Sequence, residues 1–140
     1  MAEYIYSKVQ PAKLLHIINR FNEIKPRRED IVPRDQFLQM ATIKMEEFQT
    51  FRPHRHVWGH FDDVRICQEA WVVLTGKVQV ILYDLDDSIL RDDIVLYPLD
   101  NSITIEAGHN YKALCPDTTV LEFKIGPYRG QALDKEFINV

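Results

Sequence analysis

The sequence predicts an all-β protein, because short β-rich runs follow one another at regular spacing from about residue 36 onward. Turn-forming residues separate these runs at Gly76, at the Asp-Asp-Ser segment 86–88 and at the Asp-Asn pair 100–101. Several short strands spaced in this way are typical of a β-sandwich or barrel. The predicted strands lie within the runs FLQMATIKMEEF, ICQEAWVVLTG, KVQVILYDLDD, DIVLYPLDN, SITIEAGHNYKAL and TTVLEFKIG.

Residues 11–25 are predicted to form an N-terminal helix. Pro11 suits the first turn of a helix, where its missing N–H is not needed, and Lys25 precedes Pro26, which favours a helix end. Apolar residues recur at helical spacing between these ends, at Leu14, Leu15, Ile17, Ile18 and Phe21. A charged connector follows, so we expect a helix and connector over 1–35 and a β domain over 36–140.

Composition favours an ordinary globular domain, with 46% hydrophobic and 27% charged residues in 140. The net charge of −4 argues against a nucleic-acid partner, which needs a basic surface. No apolar run approaches the roughly 20 residues that span a bilayer, and the first residues lack the pattern of a secretion signal. Cys67 and Cys115 are too few for a disulfide framework. We therefore expect a cytoplasmic protein without a membrane partner.

The stretch FRPHRHVWGH holds three of the five histidines in the chain. His54 and His56 alternate with other residues, so an extended strand places both rings on one face. Glu69 follows in the next β-rich run, and it can face the two histidines if these strands are neighbours. Two imidazoles and a carboxylate offer mixed nitrogen and oxygen ligands to a divalent transition metal. His109 is a candidate for the fourth ligand.

The order of these motifs resembles the cupin superfamily. His54 and His56 form its H-x-H element, and Glu69 and Gly76, with six residues between them, form its E-x6-G element. The tail EFKIGPY further resembles the small WbuC-like cupins that are encoded among O-antigen and capsule sugar genes. The resemblance covers roughly residues 45–138. It implies a small antiparallel jelly-roll barrel with Fe, Mn, Ni or Zn bound by His54, His56, Glu69 and a later histidine.

Two departures from the family pattern bear on the site. Twelve residues separate His56 from Glu69, where three or four are usual, and this insertion carries His60. An ungapped match to the second cupin motif puts Tyr111, rather than His109, at the position of the third histidine. His109 and Tyr111 are two residues apart and face the same side of a strand. Either residue is therefore a candidate for the fourth corner of the site.

The resemblance implies an isomerase or epimerase that acts on a sugar or nucleotide sugar in surface polysaccharide biosynthesis. Tyr111 and His60 are the candidates for proton transfer beside a metal that acts as Lewis acid. The alternatives are a metal-dependent dioxygenase, a metal-free isomerase and a non-catalytic cupin that binds a small molecule, because fold does not fix function. Arg52 and Arg65 are candidate ligands for a phosphate or carboxylate. We also expect a homodimer that buries the apolar stripe of the N-terminal helix.

Overall fold

The computed structural model describes residues 2–57 and 67–139. Within these ranges the chain is built almost entirely of antiparallel β-strands, with a 3₁₀ turn at Phe21–Glu23 and a short helix, α1, at Gln131–Asp134. The strands are β1 Glu3–Tyr6, β2 Leu14–Ile18, β3 Arg27–Asp30, β4 Leu38–Met45, β5 His54–His56, β6 Glu69–Thr75, β7 Val78–Tyr83, β8 Ile89–Leu96, β9 Asn101–Thr104, β10 Gly108–Ala113, β11 Thr118–Ile125 and β12 Lys135–Phe137.

Two five-stranded sheets form the barrel and enclose its core. The first sheet has the order β12-β5-β10-β7-β8, and the second has the order β3-β4-β11-β6-β9. Side chains alternate between the two faces of each strand, as the buried Ala41, Ile43 and Met45 of β4 show. The apolar core between the sheets consists of Ile43, Met45, Trp71, Val73, Val78, Val80, Leu96, Tyr111, Ala113 and Val120. In the described residues no helix is long and apolar enough to cross a membrane.

The predicted N-terminal helix over residues 11–25 is wrong, because this segment forms β2 and a 3₁₀ turn instead. β2 pairs with β1, with Ile17 opposite Tyr4. The hydroxyl oxygen of Ser7 accepts hydrogen bonds from the backbone N–H groups of Val9 and Gln10, and this local turn closes the hairpin. The apolar stripe contains the β-branched pair Ile17 and Ile18, which suits a strand once β1 supplies the pairing.

The predicted β-rich runs all contain strands, but of the three turns expected to close hairpins, those at Gly76 and at the Asp-Asn pair 100–101 connect strands of different sheets. Gly76 does not close a hairpin, since β6 and β7 lie in different sheets and the turn carries the chain from one to the other. The run SITIEAGHNYKAL forms two strands, β9 and β10, which also lie in different sheets. The turn at 86–88 does join paired strands, β7 and β8. The division of the chain at residue 36 stays a prediction, although β3 pairs with β4 in the second sheet.

Candidate metal centre

Four buried side chains meet between the two sheets, and we call them the His/Glu cluster. His54 and His56 lie on β5, where the alternation of the strand turns both rings inward. His109 lies on β10 directly opposite His54. Glu69 is the first residue of β6 in the second sheet. The ligand atoms of all four side chains lie within 4.8 Å of one another.

Glu69 reaches the histidines from across the barrel. The sequence allowed this contact if the two strands were neighbours, but β5 and β6 belong to opposite sheets. One carboxylate oxygen lies 2.8 Å from Nε2 of His56, and the other lies 3.3 Å from Nε2 of His109. A single carboxylate of the second sheet therefore faces two imidazoles of the first.

The Nδ1 atoms of the three rings point away from Glu69, toward other groups. Nδ1 of His54 donates to the carbonyl oxygen of Arg52 at 2.9 Å, which leaves Nε2 of this ring as a lone-pair donor. Nδ1 of His109 lies 2.6 Å from the Thr104 hydroxyl oxygen, and Nδ1 of His56 lies 3.5 Å from a carboxylate oxygen of Asp134. Such outer partners fix the orientation of histidines that bind metals.

Asp134 is the acidic residue behind His56, and the sequence reasoning did not single it out. It stands at the end of α1 with only 1% of its surface exposed. Its carboxylate lies 3.3 Å from Nζ of Lys124 and 4.0 Å from the Sγ atom of Cys67. The only sequence evidence for it is its place in the DKEF segment after the tail motif.

The pKa values in the cluster reflect burial and the two carboxylates. Burial lowers the pKa of His54 to about 3, and the nearby positive charge of Lys135 acts in the same direction. Burial opposes the charge on His56 as well, but Asp134 and Glu69 raise its pKa to about 11. Although burial would raise the pKa of Glu69, the imidazoles of His109 and His56 hold it well below its usual value.

The cluster fits a divalent transition metal by two tests. First, Nε2 of both His56 and His109 is buried without an aligned hydrogen bond, so these atoms are open for coordination. Second, the four side chains offer three imidazole nitrogens and a carboxylate oxygen, a ligand set that suits such an ion, and these atoms lie within 4.8 Å of one another. The buried carboxylates also require a positive charge nearby, which either a protonated His56 or a divalent cation supplies.

Tyr111 and His60 are the residues predicted for proton transfer. Tyr111 is buried in the core beside the cluster, where its ring stacks on Trp71 with centroids 3.9 Å apart. Its hydroxyl donates to the Ser102 hydroxyl oxygen at 3.4 Å. Burial, with the charge of Glu69, raises the pKa of Tyr111. His60 and Arg65 lie outside the described residues.

A polar cavity of about 230 Å³, which we call the barrel cavity, is lined in part by Lys124 and Lys135, the register partners of Glu69 and His56. The buried Glu122 lies in its wall, on the same inward face as Trp71, which is its register partner. The Trp71 indole N–H donates to Glu122 at 3.2 Å, and the guanidinium of Arg28 donates to both carboxylate oxygens at 3.1 and 2.7 Å. The charged side chains that line the cavity are Arg28, Asp30, Arg34, Glu122, Lys124 and Lys135.

Known structures share this architecture. An RmlC-like cupin protein from Desulfovibrio desulfuricans aligns with 81% of this chain and 97% of its own length, with a TM-score of 0.55 and 17% identity. The chain has the cupin fold. CapF, a capsular polysaccharide assembling protein from Staphylococcus aureus, aligns with 81% of this chain at a TM-score of 0.59 and 17% identity, over 32% of its own length. KdgF from Halomonas sp. aligns with 73% of this chain and 78% of its own, with a TM-score of 0.53 and 20% identity.

No family model matches this sequence, and no curated protein matches it either.

Proposed function

We propose that this cupin is a metal-dependent enzyme, of isomerase or epimerase type, that acts on a sugar or nucleotide sugar in surface polysaccharide biosynthesis. The observation that carries the proposal is the buried His/Glu cluster, whose donor atoms converge between the two sheets. The tail motif that resembles cupins of polysaccharide gene clusters supports the substrate class, and so does the fold likeness to CapF. A small-molecule substrate and a cytoplasmic location belong to the same proposal.

His54, His56, Glu69 and His109 would hold Fe, Mn, Ni or Zn, since imidazole and carboxylate ligands suit each of these ions. A bound ion of this kind supplies Lewis acidity, which polarises a carbonyl or hydroxyl oxygen of the substrate. The neighbouring side chains would orient the sugar and handle the proton that moves in an isomerisation or epimerisation next to a carbonyl.

Tyr111 is the proposed proton donor. Its raised pKa keeps the phenol protonated at neutral pH, and its ring centroid lies 5.1 Å from that of His109. The Ser102 hydroxyl holds the phenol oxygen on the side of β9. His60 remains the second candidate for proton transfer.

The first experiment is elemental analysis of the purified, untagged protein. We expect one transition-metal ion per chain in the wild type and its loss in a His54→Ala/His56→Ala double variant, because two of the four ligands are removed. His16→Ala is the matched control, since this exposed histidine lies on β2, outside the cluster. A wild type without metal, whose melting temperature does not change in chelator, would contradict the proposal.

The second experiment follows nucleotide sugars by NMR during incubation with the metal-loaded protein. We expect new anomeric signals without oxygen consumption, and their loss in Tyr111→Phe with the metal content unchanged. Oxygen consumption would instead identify a dioxygenase. Thermal protection by a sugar that undergoes no change would identify a binding protein without catalysis.

We also propose a homodimer, supported by the exposed apolar side chains on the outer face of the second sheet. Leu38 and Ile103 are each 62% exposed there, with Phe123 between them on β11. Exposed apolar patches of this kind mark interaction surfaces. We refer to these three residues as the apolar outer face.

A further inference from the structure

The barrel cavity carries more positive than negative charge. Its lining contains four cationic side chains and two carboxylates, although the whole chain has a net charge of −4. At a volume of about 230 Å³ it is smaller than the about 300–1,000 Å³ of typical drug-sized sites. A cavity of this size suits a small charged group or a single sugar unit.

Two of the four cations already have carboxylate partners. Arg28 pairs with Glu122 through two hydrogen bonds and also contacts Asp30 at 2.9 Å. Lys124 lies 3.3 Å from the buried carboxylate of Asp134. Arg28 thus contacts both carboxylates of the cavity lining, whereas the partner of Lys124 lies outside that lining.

Arg34 and Lys135 have no carboxylate within ion-pair distance in the described part of the chain. The guanidinium of Arg34 lies 5.5 Å from the centre of the Tyr128 ring, and Nζ of Lys124 lies 4.4 Å from the centre of the same ring. The aromatic ring thus holds two cations near each other without neutralising either one. The cavity therefore has positive charge to offer a ligand.

The strand register brings this charge next to the His/Glu cluster. Lys135 is the register partner of His56, and Lys124 is the register partner of Glu69. Residues directly opposite each other in an antiparallel pair project from the same face, about 4.5–5.5 Å apart. A ligand that spans the short distance from these lysines to the cluster would contact both.

We propose that the barrel cavity binds an anionic group of the substrate, a phosphate or a carboxylate, through Arg34 and Lys135, and so directs the rest of the substrate toward the His/Glu cluster. This inference deepens the proposed function and rests on it for the reaction, but the anion site itself is testable without turnover. Arg34 offers the planar donor pair that matches phosphate and carboxylate oxygens, and Lys135 offers a point charge.

Isothermal titration with three probes tests the anion site: galacturonate, inorganic phosphate and the neutral sugar galactose. We expect at least one of the two anions to bind, with affinity that falls as salt is raised. We expect galactose to bind at least about tenfold more weakly than the anion that binds, because it lacks the charge-assisted hydrogen bonds. Binding of phosphate alone would assign the group as phosphate, and binding of galacturonate alone would assign it as carboxylate.

The double variant Arg34→Gln/Lys135→Gln should bind the anion about tenfold or more weakly than the wild type does. The control pair Lys77→Gln/Arg91→Gln removes the same charge from residues that do not line the cavity, and it should bind as the wild type does. Equal binding of galactose and both anions by the wild type, or equal losses in the two variant pairs, would overturn the proposal.

Metal content, measured on the same samples, separates this inference from the proposed function. Retained metal with lost anion binding in Arg34→Gln/Lys135→Gln supports the anion site as a separate part of the pocket. A wild type that binds the anions without containing metal would leave the anion site in place and remove the metal-dependent function.

Discussion

Asp134 shows how a residue outside the His/Glu cluster controls one of its members. Its carboxylate lies 3.5 Å from Nδ1 of His56, and the Nε2 atom of the same ring lies 2.8 Å from Glu69. Although burial would raise the pKa of Asp134, His56 and Lys124 lower it to about 2. The carboxylate is therefore charged at neutral pH and holds the ring with its Nε2 atom toward the cluster.

We predict that Asp134→Asn lowers metal affinity by about tenfold or more, because the amide no longer fixes the ring through a charged acceptor. Competition with a chromophoric chelator measures the affinity, and circular dichroism checks that the variant is folded at the assay temperature. Asp117→Asn removes the same charge from an 82% exposed carboxylate and should leave the affinity unchanged. An Asp134→Asn variant with wild-type affinity would show that Asp134 does not position His56.

At the scale of elements, the turn at Gly76 links the two sheets and tolerates no side chain. Its φ of +81° is one that residues with a side chain rarely adopt, and an added Cβ would lie 2.8 Å from the Cα atom of Thr118. This turn connects β6, which carries Glu69, to β7. The packing of the turn on β11 therefore helps to fix the second sheet against the first.

We predict that Gly76→Ala lowers the free energy of unfolding by about 1–3 kcal/mol more than Gly130→Ala does. Gly130 has a φ of +102° but no atom within 4 Å of an added Cβ, so this control carries backbone strain without the steric clash. Urea denaturation of both variants gives the comparison. Equal losses would mean that Thr118 moves aside at little cost.

At the scale of the whole molecule, the apolar outer face lies next to the N-terminal hairpin, because Leu38 and Phe123 line one pocket with Leu14 and Ile17 of β2. The homodimer was predicted to use an N-terminal helix, but the hairpin β1–β2 stands in its place. The two most exposed residues of the apolar outer face, Leu38 and Ile103, lie on different strands of one sheet. Burying them against a second copy would remove apolar surface from water.

We predict a dimer in size-exclusion chromatography with light scattering at micromolar concentration, and a shift to monomer in Leu38→Asp/Ile103→Asp. Charged side chains at these positions would lose their hydration in the interface. Leu85→Asp is the control, because Leu85 is 71% exposed in the turn between β7 and β8 of the other sheet. A wild-type monomer would contradict the prediction, and so would an equal shift in the control.

The features predicted correctly are those that depend on local patterns. The alternation of His54 and His56 shows that both rings share one face, whichever strand lies next to them. The β-rich runs were recognisable for the same reason, since period-two patterning and turn residues are read over a few positions. The prediction for the N-terminal segment was wrong because its leucines and isoleucines are compatible with either a helix or a strand. The pairing with β1 decided between the two.

The rest of the site depends on contacts between distant parts of the chain. Asp134 reaches His56 from 78 positions further along the chain, and Lys135 becomes a neighbour of His56 only through the β12–β5 register. The departure in the second motif left His109 and Tyr111 as alternatives. The hydrogen bond between His109 and Thr104, which fixes the ring toward the cluster, links two strands in different sheets.

The pairing of Arg28 with Glu122 bears on where this protein can be shortened. Glu122 is buried, with 7% of its side chain exposed, and the cation that compensates it stands on β3, before the predicted start of the β domain. A chain that began at residue 36 would leave this buried carboxylate without its cation, and an uncompensated buried charge destabilises a fold. The smallest stable fragment should therefore begin upstream of Arg28.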